Sequence, residues 1–145
     1  MEDSQNESKS LGSTDESDCP TAGKAAGRVD LQYTYAGGRT ERWSLIRFCL
    51  STTYDARNRT WHSTGYADSA RSRYKMNITY DESRRILTID LQGRVFTVPG
   101  THMRASAHVN RSTLNIGFLK DAEGTADGPG DRYFIKGVSR LDISL

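Results

Sequence analysis

The residues best suited to move a proton or hold a metal are three histidines, His62, His102 and His108. His102 and His108 lie in HMRASAHV, an alternating segment, so they share a face but stand roughly 20 Å apart at the usual strand rise. That is too far to share an ion. No HExxH occurs and the cysteines form no closely spaced pair, so no metal site is expected. His62 lies in TWHSTGYA beside Trp61 and near Tyr66, and would be a general base in a pocket if the even-numbered face of that segment points inward. Pointing the other way, it is a surface histidine. No serine sits in a GxSxG elbow, and the Ala36-Gly37-Gly38 turn joins two strands, without the helix N-terminus that would bind phosphate. No catalytic residue can be named, no cofactor is implied, and whether the chain is an enzyme stays open.

Asp121, Glu123, Asp127 and Asp131 fall in the Gly-rich segment KDAEGTADGPGD, residues 120–131. Their spacing is not that of a calcium loop, and the segment reads as a long loop, a lid over whatever lies beneath. Cys19 lies in a polar leader and Cys49 in an apolar run, so no bridge between them is expected and Cys49 reads as a small buried hydrophobe.

That apolar run is RWSLIRFCL, residues 42–50, with Arg47 inside it. On strict alternation Trp43, Leu45 and Cys49 share the face of Arg47, and Ile46, Phe48 and Leu50 share the other, so both faces are apolar. An inward Arg47 needs a carboxylate, Glu41 or Asp90, or an acidic ligand, because an unpaired buried charge costs several kcal/mol. An outward Arg47 would be the polar member of an interface strip.

The elements that must position these groups are strands. In RYKMNITY, Tyr74, Met76, Ile78 and Tyr80 alternate with Arg73, Lys75, Asn77 and Thr79, one buried face and one wet one. ILTIDL follows, Gln92-Gly93 makes a hairpin into RVFTV, Pro99-Gly100 ends that strand, and HMRASAHV puts Met103, Ala105, Ala107 and Val109 on one side. STLNIGFL, RYFIKGV and RLDISL close the chain, while VDLQYTY, the apolar run and TWHSTGYA precede. The pattern predicts an all-β fold, a single antiparallel meander of about eight to ten strands closed into a barrel, with a sandwich as the alternative. In general shape such a barrel is similar to the lipocalins, although their Gly-X-Trp motif is absent.

Residues 1–27 hold one large aliphatic side chain, Leu11, among Ser, Gly and acidic residues, and read as a disordered tail ahead of a domain over 28–145. The tail carries −4, so the near-neutral total of +2 conceals a domain at +6. Its basic residues are not clustered with aromatic ones on one face, so nucleic acid is not the expected partner. No stretch is apolar enough to span a membrane and no signal peptide is visible, so the chain reads as cytoplasmic. Four of the five asparagines, Asn6, Asn58, Asn77 and Asn110, nevertheless begin Asn-X-Ser/Thr sequons where a Ser/Thr content of about a fifth predicts about one, which keeps a secreted chain as the alternative.

Three functional readings follow. The first is a barrel that holds a small, apolar or weakly anionic ligand in its interior, with Trp43, Trp61, Tyr66, Tyr74 and Tyr80 as wall and Arg47 or His62 as polar handle. The second is an assembly module, a homo-oligomer built on strand 42–50. The third is an enzyme that templates an apolar substrate by shape, with His62 or a tyrosine as acid or base.

Overall fold

The computed structural model describes residues 24–145, apart from Val109 and Lys120. Twelve strands make one antiparallel sheet. They are β1 (Lys24–Thr34), β2 (Thr40–Leu45), β3 (Arg47–Asp55), β4 (Thr60–Asp68), β5 (Arg73–Asp81), β6 (Ile86–Leu91), β7 (Arg94–Pro99), β8 (Met103–His108), β9 (Thr113–Phe118), β10 (Ala122–Thr125), β11 (Arg132–Ile135) and β12 (Arg140–Ser144). β1 begins inside the stretch assigned to the tail, so Lys24 to Gly27 are strand. The remainder of the expected tail lies outside the described residues.

The order across the sheet is β7-β6-β5-β4-β3-β1-β12-β9-β8. Its two end strands, β7 and β8, are separated in the chain only by the 3-10 turn Gly100–His102, so the sheet is nearly closed and barrel-shaped. Several strands are halves of longer runs. β9 on β12 (Gly117↔Arg140) and β10 on β11 (Ala122↔Ile135) keep one register, and β2 passes into β3 through Ile46 alone. Joined in this way, sequence neighbours pair in space all round the barrel, which is the expected meander.

Alternation delivers one set of side chains inward. Leu31, Leu50, Trp61, Met76, Ile89, Phe96, Ile116 and Ile135 belong to a single buried cluster drawn from both halves of the chain. Gln92 and Gly93 have φ of 49° and 91°, the left-handed pair that a two-residue hairpin requires. The β3–β4 and β5–β6 turns share another device. Asp55 accepts from the backbone of Arg57 and Asn58, Asp81 from that of Ser83 and Arg84, and each turn ends on an arginine of positive φ, Arg59 or Arg85. Both aspartates are held below their ordinary titration range, Asp55 chiefly by the Asn58 side-chain N–H with the backbone bonds beside it, and Asp81 chiefly by the Arg84 backbone N–H and the Ser83 hydroxyl.

Three expectations need correction. The first concerns RWSLIRFCL, where alternation slips at Ile46. Leu45 and Phe48 both point into the core although three apart, and across the ladder they face Val29 and Ala25, which are four apart. This is a bulge-type irregularity that redirects the strand, and the Ile46 N–H bonds Asp68 O as the run leaves β1 for β4. The apolar residues are thus inward on each side of the corner. Arg47 faces out and is exposed, and the inward carboxylate Glu41 is paired with Arg94 instead. Second, Cys49 is disulfide-bonded. The chain's other cysteine, Cys19, lies outside the described residues. Third, residues 120–131 are not one loop, because Ala122–Thr125 pairs with Arg132–Ile135 as a hairpin. Asp131 anchors its tip to β1 by accepting from the Tyr33 hydroxyl at 2.6 Å and the Ala36 N–H at 2.9 Å.

Candidate functional site

The two ends of the barrel are built differently. At the end formed by the β3–β4, β5–β6 and β8–β9 turns, Glu82 lies under the loops with its side chain 9% exposed. It accepts from the Tyr54 hydroxyl at 2.9 Å, the Trp61 indole N–H at 2.9 Å and Arg111 Nε at 3.3 Å. Burial pushes its carboxyl up, but the bonds from Trp61 and Tyr54 and the charge of Arg111 outweigh it, and the carboxyl stays below its ordinary range. All of these groups are spent on one another. This end is a plug.

The opposite end, where the β1–β2 and β6–β7 turns lie, carries a cleft of about 320 Å³. β2 lines it with Glu41, Arg42 and Trp43, β5 with Tyr74, and the β6–β7 hairpin with Leu91, Gln92 and Arg94. Its floor is aromatic. Trp43 sets its edge against Tyr74, centroids 6.5 Å apart at 84°, and against Phe96 at 6.2 Å. Phe96 in turn meets Tyr33 and Tyr133 edge to face. Trp43 and Tyr74 remain half-buried, whereas Phe96 is fully buried beneath them. Neither the Trp43 indole N–H nor the Tyr74 hydroxyl has a hydrogen-bond partner among the described residues.

The rim is ionic. Arg94 on β7 grips Glu41 on β2 with Nε at 2.9 Å and Nη2 at 3.1 Å, a two-point contact across the barrel mouth. The Tyr35 hydroxyl donates to Glu41 at 2.8 Å and Arg39 Nη1 approaches at 3.3 Å, while the Arg39 guanidinium covers the Tyr35 ring at 4.1 Å. The bond from Arg94 outweighs partial burial, so Glu41 titrates below its ordinary range and Arg94 above its own. Glu41 therefore stays ionised and paired at neutral pH, a clamp rather than a proton donor. Arg42 is different. Its Nε donates to Gln32 at 3.0 Å, and its two terminal nitrogens have no partner among the described residues.

Of the residues singled out from sequence, Trp43 and Tyr74 meet in this cleft. Trp61 and Tyr80 pair across β4 and β5 near the plugged end, both buried. Arg47, His62 and Tyr66 lie on the outer surface. The inward face of β4 is Trp61, Ser63 and Ala67, so His62 is exposed, and the Arg73 guanidinium lies 5.3 Å above the Tyr66 ring. His102 approaches the Tyr133 hydroxyl at 3.5 Å beside the 3-10 turn, and His108 is exposed at the far end of β8. The cleft residues missed were Arg42, Leu91, Gln92 and Arg94, and Glu41 was singled out only as an inward partner for Arg47. A signal for two of them was present, because Glu41 has the parity of Trp43 and Leu45, and Arg94 that of Phe96 and Val98.

Among the described residues no three His, Cys, Asp or Glu side chains gather as ligands for a metal, and no helix is long and apolar enough to cross a membrane. The chain matches no family model, no curated protein and no solved structure.

Proposed function

We propose that the barrel binds a small molecule at its open mouth, a ligand with a flat apolar portion and a weakly anionic group. The observation that carries this is the pairing of two large aromatic side chains, Trp43 and Tyr74, left half-buried in a cleft of about 320 Å³ beside an arginine with free donors. Clefts of this size, with apolar walls and a few convergent polar groups, suit small ligands. Trp43 and Tyr74 would stack on the apolar portion, and the open nitrogens of Arg42 would take the anion. The Glu41–Arg94 pair holds β2 and β7 at a fixed separation, so the walls are set before the ligand arrives. The ligand is set at the mouth rather than in the middle of the barrel because the inward side chains there pack against one another in one cluster.

The test is a fluorescence titration with 8-anilinonaphthalene-1-sulfonate, an aromatic anion, on the full chain and three variants. Trp43→Ala should weaken binding about tenfold, equivalent to about 1.4 kcal/mol, and Arg42→Met several-fold. His62→Ala, on the outer surface, should leave it unchanged. Equal affinity in Trp43→Ala and the parent chain would refute the mouth as the site.

A further inference from the structure

We propose that Asn58, Asn77 and Asn110 carry N-linked glycans, attached in the oxidising compartment in which the disulfide of Cys49 forms. Two independent observations meet here. A stable disulfide belongs to an oxidising compartment such as the secretory lumen, where Asn-X-Ser/Thr sequons are also modified. The sequons, which outnumber chance in the sequence, also stand where the folded barrel can accept a bulky group, since all three asparagines are exposed.

Their hydrogen bonds fit the modification. Transfer joins Nδ2 to the anomeric carbon of an oligosaccharide supplied as a lipid pyrophosphate. The bond from that carbon to phosphate oxygen breaks, the lipid pyrophosphate leaves, and Nδ2 loses one of its two protons. The side-chain carbonyl and one N–H survive. Asn77, on the outward face of β5, uses its Oδ1 to accept from Thr64 and has no partner for its Nδ2 among the described residues. Asn58 donates from Nδ2 to Asp55 at 2.7 Å, which the one remaining N–H can still do. Asn110, in the β8–β9 turn at φ 53°, makes no side-chain hydrogen bond among the described residues. The contrast is Asn115, which begins no sequon. It is half-buried and its Nδ2 donates to Asp142 at 2.7 Å.

The placement has a consequence for binding. Asn58 and Asn110 lie in turns at the plugged end and Asn77 at the middle of the β5 outer face, so glycans there cover that end and one wall while the mouth stays clear. The proposal stands without the ligand reading, because it uses none of the cleft residues.

The experiment is peptide mapping by mass spectrometry of the chain made by the cells that encode it, before and after peptide N-glycosidase. Hexose-bearing additions at one or more of Asn58, Asn77 and Asn110, removed by the enzyme to leave aspartate, are the expected result. Three bare asparagines overturn the proposal. In the same cells, Thr79→Ala should abolish modification of Asn77 alone, since it destroys that sequon and leaves the Thr64 contact in place. An addition that persisted at Asn77 in this variant would also overturn it, because it would not depend on the sequon.

Discussion

Glu82 and Glu41 hold opposite ends of the barrel, and both do so as anions. Glu82 is the more buried and the more enclosed. Its folded-state carboxyl titrates below the ordinary value of 4.5, so its stabilisation is fully present above that pH and is lost as the pH falls through the lower, folded value. Glu82→Gln should lower the unfolding free energy at pH 7 by about 1–3 kcal/mol, the usual scale for hydrogen bonds to a charged group. The gap from the parent chain should narrow as the pH falls through the lowered folded-state value, where the parent itself takes up the proton. Urea unfolding along a descending pH series from pH 7 checks this, and a gap of equal size throughout would contradict it. Neither ion pair could be read as a pair from the sequence. Glu41 and Arg94 are 53 positions apart, and only the curvature of the sheet brings β2 opposite β7.

Single strands were the most legible element, and the breaks in them the least. RYKMNITY and ILTIDL form β5 and β6 with the inward residues that alternation gives, because each keeps one phase along its length and one face in water. RWSLIRFCL defeats the same reading because it contains two phases. Its corner at Ile46 carries no glycine or proline to announce it, and the slip is specified across the ladder, where β1 spends four residues against three. The 120–131 segment misleads for another reason. Its strands are four residues each and are flanked by the glycines and aspartates that ordinarily mark a loop. If Ile46 is the corner and not part of a buried face, Ile46→Ser should cost no more than about 0.5 kcal/mol, as surface changes do. Leu45→Ala, one residue away and fully buried, should cost about 2–5 kcal/mol. Chemical denaturation of both variants decides it, and a costlier Ile46→Ser would show that strand 42–50 is buried on both faces.

At the scale of the whole molecule, closure sorts the residues by role. The meander was legible because turn residues punctuate it at short intervals, and a meander whose ends meet has few free edges. Which end is plugged was not legible, since that depends on tilt and on contacts such as Arg111 to Glu82 between distant turns. Closure also divides the two tryptophans between opposite ends, Trp61 bonded to Glu82 in the plug and Trp43 facing Tyr74 in the mouth. Each therefore reports on its own end. The most direct measurement is a nitrogen-15 correlation spectrum of the full chain titrated with 8-anilinonaphthalene-1-sulfonate, following the two indole N–H signals and the backbone amides. Binding at the mouth predicts movement of the Trp43 indole and of amides near residues 41–43, 74 and 91–94, with the Trp61 indole unmoved. Movement of the Trp61 signal in place of Trp43, or a spectrum unchanged throughout, would contradict it.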